Sequence, residues 1–587
     1  MQYTYDTHGN VLTESDETAT RTYTYDSRGR KSGYALTVGD TEISTATYAY
    51  DILDRLISVT EGGVTTTYTY DANGNRASQT TGEVSVAYTY NDANLVTSLT
   101  NTLTNATGEA VVPSAFAYTY YADGNQHTKT ETMLSGDPVT TTYVYDGLGR
   151  LTAETRGEDS IAYTYDASGN RISTTAGGVI TTYAYDANNR LLSETVGDTA
   201  TAYTYDANGN TLTAGDKTYT YNTRGQQTGY SNGTTAAAYA YNPSGLRNVK
   251  TVGGSTKYFV YNGMNIVYEY TESVADGVAY FYGLNRTHNS EGEIYLYNAH
   301  GDVMQLVKNN AVVASYTYDA FGNLTSQIGE SDNPFLYCGE YYDAETQTYY
   351  LRARYYNPAN GRFTQQDAWA YMDASDPLSL NLYAYCGNNP IMYVDPSGNF
   401  GTAAAAWGSS MFWLCAIDAA LPIGDIIYGV GLLIAAGVDV VCSIGVENTA
   451  NLVDSAIHIR DAAQQGSDAS KKKGSTSQNN SNGNGNSPRD PKDPQNWNKN
   501  STKLNSKTLY DKKGVRVDVE NPDPSSRPGQ VHIQIKDEKY IFDNISKQFF
   551  NPDTGKLAPK SVQKLMEDPQ IAKAVMKGVE KYLGLLY

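Results

Sequence analysis

The sequence is dominated by one motif, Tyr-x-Tyr-Asp-x-x-Gly followed by Asn or Arg. Successive copies start mostly 20 residues apart, with some gaps of 25 or 30. Clear copies begin at Tyr23, Tyr68, Tyr143, Tyr163 and Tyr203. Self-similarity at a fixed period indicates a repeat architecture, in which each unit packs mainly on its neighbours.

Each copy of the motif predicts a β-hairpin. The alternation in Tyr-x-Tyr places both rings on one face of a strand. The Asp side chain starts a turn, and we expect Gly and Asn to take the positive-φ positions of that turn. The next stretch, such as residues 190–196, returns as a second strand. Because one hairpin cannot bury its apolar face alone, the hairpins are predicted to stack into one continuous β-sheet structure.

Composition and charge agree with this interpretation and divide the chain. The 53 tyrosines and 53 glycines, against 11 phenylalanines, suit polar strands joined by glycine turns rather than a helical bundle. Residues 501–587 contain 15 Lys and Arg against 11 Asp and Glu, a net charge of +4. Because the whole chain has a net charge of −20, the remainder carries −24. An acidic array is a poor partner for nucleic acid, whereas the basic tail suits it.

The cysteines and the chain start give two further expectations. The four cysteines have no metal-ligand spacing and form no dense framework, so we expect neither a metal, nor a cofactor, nor a disulfide scaffold. No secretory signal opens the chain, since Met1 is followed at once by a repeat. We therefore expect a fragment of a longer chain, with any export signal upstream.

The repeats of residues 1–332 resemble the YD/RHS repeats of bacterial RHS proteins, insecticidal toxin-complex C subunits and teneurins. The resemblance implies that the repeats spiral into a hollow β-shell enclosing the C-terminal polypeptide. From the residues alone, a plain β-solenoid used for adhesion is the alternative. In either case Tyr and Asp of a single repeat are expected to be structural.

Residues 333–400 resemble the RHS repeat-associated core domain. The segment contains Asn-Pro-Phe-Leu-Tyr-Cys-Gly-Glu-Tyr-Tyr-Asp, then Tyr-Tyr-Leu-Arg-Ala-Arg-Tyr-Tyr, and ends on Val-Asp-Pro-Ser-Gly. It departs from the family pattern at Asn357 and at Ala368, where the family usually has Asp and Pro. Neither change removes a group assigned below.

The resemblance implies that this segment cuts its own chain after the Asp-Pro-x-Gly motif. The cutting pair would be Asp367 and Asp395, with Arg354 as a supporting cation and the cut near Phe400. Two carboxylates in one site cannot both ionise easily, so one activates water and the other polarises the scissile carbonyl. The alternative is structural: residues 395–398 are a good turn sequence, and Arg354 merely pairs with a loop aspartate.

The composition changes after Gly398. Residues 401–463 include two apolar stretches within 407–446, each marginal for a membrane span and interrupted by aspartates. This segment predicts either a helical hairpin making transient membrane contact during translocation or a helical pair packed inside the shell. Residues 464–500 are rich in Ser, Asn and Gly and predict a flexible linker.

The tail, residues 501–587, predicts a small α+β domain. Residues 515–520 and 531–536 alternate strictly, with valines and isoleucines on one face. Residues 539–542 read as a third strand, and Asp568-Pro569 begins a final helix that runs through Leu583.

The polar face of these strands carries the candidate catalytic residues of the tail. His532 would exchange a proton in metal-free cleavage of RNA, with Glu520 or Asp518 as the second acid–base group. Cations would neutralise the phosphate in the transition state; they are Arg516, Arg527 and Lys536. The alternative is an exposed strand face whose alternate residues are simply solvated.

The tail also resembles C-terminal modules of Gram-positive polymorphic toxins, which we associate with the broad barnase–colicin–RelE class of small RNases. That class usually starts with a helix, which here could only lie near residues 506–511.

The resulting hypothesis is a mostly β, secreted or surface-associated antibacterial toxin. Its shell and core would release an RNase-like effector into the target-cell cytoplasm, and a cognate immunity protein would neutralise that effector. The alternative is an adhesion or carbohydrate-binding surface protein with an inert tail.

Overall fold

A computed structural model describes most of the repeat and core segments and parts of the tail. The described residues are 1–134, 136–369, 377–399, 402–403, 504–512, 515–521, 530–535, 538–543, 548–551 and 558–577. The chain divides into two units, Met1–Ile426 and Ile427–Tyr587, and each is described by itself. The predicted apolar segment and linker fall almost wholly outside the described residues. The predicted domain boundaries therefore stay predictions.

The first unit contains a 32-stranded antiparallel sheet in which each strand pairs with the next one along the chain. Its strands are β1 Gln2–Tyr5, β2 Val11–Ser15, β3 Ala19–Tyr25, β4 Lys31–Val38, β5 Thr41–Tyr50, β6 Leu56–Glu61, β7 Val64–Tyr70, β8 Arg76–Thr81, β9 Val84–Tyr90, β10 Val96–Thr104, β11 Ala110–Tyr120, β12 Gln126–Met133, β13 Val139–Tyr145, β14 Leu151–Arg156, β15 Asp159–Tyr165, β16 Arg171–Ala176, β17 Val179–Tyr185, β18 Leu191–Val196, β19 Thr199–Tyr205, β20 Thr211–Ala214, β21 Lys217–Tyr221, β22 Gln227–Ser231, β23 Ala236–Tyr241, β24 Arg247–Val252, β25 Ser255–Asn262, β26 Asn265–Tyr270, β27 Val278–Tyr282, β28 Arg286–Asn289, β29 Ile294–Tyr297, β30 Val303–Lys308, β31 Ala311–Tyr318 and β32 Leu324–Gly329. The predicted mostly β fold and continuous sheet are confirmed.

The repeat motif forms its hairpin through the side chain of its own aspartate. In one copy Tyr68 is 3% exposed while its neighbour Thr69 faces outward. Asp71 Oδ1 then accepts the backbone N–H of Asn73 at 2.9 Å and of Asn75 at 2.8 Å. The turn therefore satisfies its backbone donors locally, which is why the sequence alone encodes it.

The predicted positive φ at both Gly and Asn is wrong for the second position. Gly74 has φ 88°, but Asn75 is absent from the residues with positive φ and instead donates its Nδ2 to Asp71 Oδ2 at 3.0 Å. Where a copy lacks the glycine, Asn94 or Asn189 takes its place with φ 59° or 61°. The last residue of the turn therefore supplies a side-chain hydrogen bond rather than backbone freedom.

In seven places a tyrosine at or near the end of a strand ties consecutive hairpins together. The hydroxyl of Tyr70 donates to the carbonyl oxygen of Leu56 at 2.6 Å, and that of Tyr165 to Leu151 at 2.7 Å. The same bond, with the same 14-residue separation, recurs from Tyr25, Tyr90, Tyr185, Tyr241 and Tyr261. A buried ring with a satisfied hydroxyl explains the preference for Tyr over Phe.

The core segment forms a small sheet of its own, buried against the repeats. Its strands are β33 Tyr341–Asp343, β34 Thr348–Leu351, β35 Arg354–Asn357 and β36 Arg362–Phe363. Short 3₁₀ turns lie in the core segment at Tyr337–Gly339, Pro377–Leu380 and Tyr385–Asn388, and one lies in the repeats at Val274–Asp276. Strand β37, Tyr393–Val394, pairs with strand β38, Thr402–Ala403. Tyrosines of this segment share one core cluster with repeat residues such as Phe259 and Tyr316.

The described part of the second unit contains a five-stranded antiparallel sheet and two helices. Its strands are β39 Leu504–Lys512, β40 Val515–Asn521, β41 Gln530–Ile535, β42 Glu538–Asp543 and β43 Gln548–Phe550; the helices are α1 Lys560–Gln563 and α2 Pro569–Lys577, with a 3₁₀ turn at Lys564–Glu567. Val517, Ile533 and Val575 are fully buried in its core. The predicted strands, their apolar face and the start of the final helix are confirmed.

One expectation for the tail is wrong. The short helix expected near residues 506–511 is strand β39, because this segment pairs along β40. Val579 and Leu583 of the predicted final helix lie outside the described residues. Within the part of the chain that the structure describes, no helix is long and apolar enough to cross a membrane.

Candidate functional site

Arg354 opens strand β35 and lies at the centre of the candidate self-cleavage site. The residue is 5% exposed, and its guanidinium lies over the ring of Phe363, 3.6 Å from the ring centroid. Its Nη2 is 2.8 Å from Asp367 Oδ2 and 3.6 Å from Asp395 Oδ2. The structure therefore brings together the three residues predicted from the core motif, with both aspartates beside the guanidinium of Arg354.

Asp395 also closes its own turn. Its Oδ1 accepts the backbone N–H of Gly398 at 2.8 Å and of Asn399 at 3.1 Å, with a longer contact from Ser397 at 3.3 Å. Gly398 has φ 73°, and a Cβ there would collide with the carbonyl oxygen of Leu351. The turn expected for residues 395–398 is present, so one oxygen of Asp395 is structural while the other faces Arg354.

The two carboxyl groups are both harder to ionise than usual. Burial raises the pKa of Asp367 to about 7, opposed by Arg354 and increased by the nearby Asp395. Burial also raises the pKa of Asp395, opposed by Arg354 and by the N–H groups of its turn. Two buried carboxyls that share one guanidinium keep a proton near neutral pH, as an acid–base pair requires.

The end of the turn lies against the same guanidinium. Arg354 Nε donates to the carbonyl oxygen of Gly398, and Nη1 donates to that of Leu382 at 3.1 Å. The expected cut near Phe400 lies one residue beyond Asn399, and Phe400 itself is outside the described residues. The chain leading to the expected cut is thus held on the site by main-chain contacts. Phe363 and Leu382 had no assigned role, and only the fold places them against Arg354.

A second arginine centre anchors the core segment to the repeats. Arg247 of β24 and Asp343 of β33 are both fully buried and form a two-pronged ion pair, with Nη2 donating to Oδ1 at 3.0 Å. Lys250 adds contacts of 2.7 Å to Asp343 and 2.9 Å to Glu345. Arg247 and Lys250 together hold the pKa of Asp343 below its usual range, despite burial. This centre is structural, because its carboxylate stays ionised.

The tail places a histidine and an aspartate opposite each other on neighbouring strands. In the register of β40 and β41, Asp518 faces His532, and His532 Nε2 is 3.6 Å from Asp518 Oδ2. Asp518 accepts Nε of Arg516 at 2.9 Å and the hydroxyl of Thr508 at 2.6 Å. Hydrogen bonds from Arg516 and Thr508 outweigh burial and lower the pKa of Asp518.

The sequence left open that these polar residues are simply solvated, and the exposure of the cluster agrees with that only in part. Asp518 is 1% and His532 5% exposed, so these two are buried, whereas the Arg516 side chain is 46% exposed. Glu520 pairs with Gln530 in register, away from His532, and its side chain is outside the described atoms. Arg527 and Lys536 also lie outside the described residues. Thr508 was missed, because its segment was expected to be helical.

Two family models match the chain. Residues 116–391 match the teneurin YD-shell, and residues 50–85 match the RHS repeat. The two matches cover part of the repeats, and the longer one continues into the core segment and ends four residues before Asp395.

Individual relatives match over short stretches. The tRNA3(Ser)-specific nuclease WapA of Bacillus spizizenii is 32% identical over 271 residues, 44% of this chain and 12% of that protein. The toxin protein Tse5 of Pseudomonas aeruginosa is 41% identical over 69 residues, 11% of this chain and 5% of that protein. The chain therefore spans a small part of each relative.

A solved structure of the Photorhabdus luminescens Tc holotoxin pore aligns with 68% of this chain and 21% of its own, at 19% identity and a TM-score of 0.45. The family assignment rests on the sequence matches and on the repeat chemistry described above. Residues 50–85 and 116–391 belong to the RHS/YD-repeat family.

Proposed function

We propose that this chain belongs to a polymorphic toxin, which packages a C-terminal effector and releases it by cutting itself near residue 400. The observation that carries the proposal is the sharing of Arg354 by two buried carboxyls, Asp367 and Asp395. Two similar proteins, a tRNA nuclease and a toxin, point to the same class.

In the proposed reaction, water attacks the carbonyl carbon of the scissile peptide bond. Asp395, whose ionised form is favoured by its N–H donors, takes a proton from that water. Asp367, protonated below about pH 7, donates its proton to the carbonyl oxygen. Collapse of the tetrahedral intermediate breaks the C–N bond, and the amine leaves with the proton that Asp395 took up, while Asp367 recovers its own from the collapsing hydroxyl.

The direct test is the intact mass of the purified full chain. We expect two fragments that meet near residue 400 in place of the 63.9 kDa chain. A single uncut chain, obtained from cells and after prolonged incubation of the folded protein, contradicts self-cleavage.

The released tail is proposed to be a metal-independent RNase. His532 would shuttle a proton between the ribose 2′-hydroxyl and the leaving 5′-oxygen, so that the 2′-oxygen bonds to phosphorus as the P–O5′ bond breaks. Asp518 orients the imidazole from the neighbouring strand, at 3.6 Å. Arg516, Arg527 and Lys536 would neutralise the phosphate, and Glu520 would assist as a second acid–base group.

Expression of residues 488–587 in bacteria tests the tail. Growth arrest with degraded RNA supports an RNase; arrest with intact RNA contradicts the RNase and keeps the toxin. We expect His532→Ala to lower RNA cleavage by at least ~100-fold. Gln534→Ala, the next position on the same strand face, is the matched control and should remain active.

The remaining features of the proposal follow from this role. The protein would be secreted or surface-associated, its effector would act in the cytoplasm of a target bacterium, and a cognate immunity protein would bind the tail in the producer. Residues 407–446 would make any membrane contact during entry. Co-expression of the product of a small neighbouring gene should restore growth.

A surface-binding role is the second candidate, favoured by one cavity. It has a volume of about 530 Å³ and is lined by polar and aromatic side chains of the repeats and core, among them Glu194, Tyr203, Asp216, Lys217 and Asn360. Such a lining suits a carbohydrate. Binding of the full chain to a glycan array, together with harmless expression of the tail, would favour adhesion over toxicity.

A further inference from the structure

Three side chains with metal-binding atoms converge where a repeat turn meets the core segment. His300 Nδ1 is 2.9 Å from Asp302 Oδ1 and 3.8 Å from Cys338 Sγ. All three ligand atoms lie within 4.8 Å of one another. The donors are therefore close enough to reach one ion after small shifts of their side chains.

The turn that carries His300 and Asp302 has the first and last residue types of the repeat turn exchanged. Here Asn298 stands where the repeats have Asp, and Asp302 stands where they have Asn or Arg. Asn298 Oδ1 accepts the backbone N–H groups of His300 and Asp302, both at 3.0 Å, while its Nδ2 holds Asp302 Oδ2 at 2.7 Å. The exchange keeps the turn and directs Asp302 Oδ1 to His300 and to the N–H of Cys338.

The surroundings fix the orientation of the ligands. His300 Nε2 lies 3.4 Å from the carbonyl oxygen of Tyr393, which leaves Nδ1 for the cluster. Cys338 is buried and has φ 55°, an unfavourable conformation for a residue other than Gly or Asn that turns its thiol into this space. The histidine and cysteine are thus held by contacts that the self-cleavage site does not use.

There is also room for a fourth ligand. His300 and Asp302 line a cavity of about 30 Å³, which is enough for one water molecule. Lys129, on the same cavity, is paired with Glu131 at 3.1 Å, so its charge is already compensated. Three protein ligands and one water complete a tetrahedron.

We propose that His300, Asp302 and Cys338 bind one Zn²⁺ ion. One imidazole nitrogen, one carboxylate oxygen and one thiolate are a ligand set that favours this borderline-soft ion over Ca²⁺ or Mg²⁺. The site would clamp the turn between β29 and β30 to the start of the core segment. It is independent of the proposed self-cleavage and of the tail's activity.

This proposal differs from the sequence-based expectation of no metal, because cysteine spacing cannot reveal such a site. The ligands come from two turns separated by 36 residues along the chain, so spacing between cysteines carries no signal. Burial raises the pKa of the Cys338 thiol well above its usual range. A bound cation would offset that cost by binding the thiolate directly.

Cobalt substitution tests the site in the full chain. Cys415 and Cys442 are first changed to serine, so that only Cys338 and Cys386 can give thiolate bands. Co²⁺ added to the metal-stripped protein should produce a thiolate-to-cobalt charge-transfer band and tetrahedral d–d bands, and Zn²⁺ should displace them stoichiometrically.

The matched variants are Cys338→Ser and Cys386→Ser. Cys386 occupies the same kind of turn, with φ 48°, but is outside the cluster. We expect Cys338→Ser to abolish the band and His300→Asn or Asp302→Asn to weaken Co²⁺ binding by more than ~100-fold, with Cys386→Ser unchanged. Absence of a band in the parent, or its persistence in Cys338→Ser, overturns the proposal. Zn²⁺-dependent protection of Cys338 from alkylation provides a second readout if a variant misfolds.

Discussion

Two arginine–carboxylate centres involve the core segment, one at its junction with the repeats and one within it, and their charge balance differs. At Arg247, the carboxylates of Asp343 and Glu345 meet two cations, Arg247 and Lys250. At Arg354, Asp367 and Asp395 share one guanidinium. The pKa of Asp343 is lowered, whereas the pKa values of Asp367 and Asp395 are raised. Buried carboxylates thus have lowered pKa values where two cations meet them, and raised values where they share one, as the proposed acid–base pair requires.

The largest effect that this comparison predicts is on self-cleavage. Asp367→Asn removes the group that carries the proton, so we expect the cutting rate to fall by ~10²–10⁴-fold, leaving the full-length chain on a gel. Asp332→Asn, at an exposed position just before the core segment, is the control and should be cut normally. Efficient cutting of Asp367→Asn would exclude the carboxyl pair as the catalyst.

Asp343→Asn should act on stability instead. It leaves the guanidinium of Arg247 buried without its counter-ion, which costs about 3–5 kcal/mol. Urea unfolding of the purified repeat and core fragment measures the loss, and molecules that remain folded should still cut. If stability is unchanged while cutting stops, the roles assigned to the two centres are reversed.

Lys250→Met sharpens the comparison, because it reduces the Arg247 centre to one cation while preserving side-chain bulk. We expect a loss of about 1–3 kcal/mol, since Asp343 and Glu345 each lose a buried partner. Lys257→Met removes the more exposed pair with Glu269 and should cost about 0–1 kcal/mol. Equal losses in the two variants would show that burial is not what matters.

The pH dependence of cutting should give the smallest effect. Asp367 must keep its proton, and its pKa is about 7, so the rate should fall about tenfold per unit as pH rises above 7. Because this pKa is raised on folding, the proton's contribution to stability is fully present below about pH 4 and is lost between about pH 4 and 7, before the rate begins to fall. Rates are measured on precursor diluted from urea into buffered solution, and a rate that increases steadily to pH 9 contradicts Asp367 as the acid.

The repeats could be predicted from sequence because their bonding is local. Asp71, for example, satisfies donors two and four residues away, within the motif itself. The conformation of the last turn residue was predicted wrongly, since a side-chain hydrogen bond replaced the backbone role assumed for it.

The sites depend on longer-range pairing. Arg354, Asp367 and Asp395 show no periodicity, and only the family resemblance brought them together before the structure did. In the tail, alternation predicted the face but not the partner of His532, because the register across the 521–530 connection decides between Asp518 and Glu520. The sequence did not predict β39, the first strand of the tail, because its pairing with β40 rather than its local preference sets its conformation.

The tyrosine hydroxyl that bonds to the carbonyl 14 residues earlier has a consequence for how such proteins change length. Because each bond spans only one hairpin boundary, as from Tyr185 to Arg171, loss or duplication of a whole 20-residue unit restores the same bond at the new junction. Recombination between near-identical gene segments could then lengthen or shorten the array in one step. The register of every remaining strand would be preserved, so the number of repeats can change without redesign of the strands that remain.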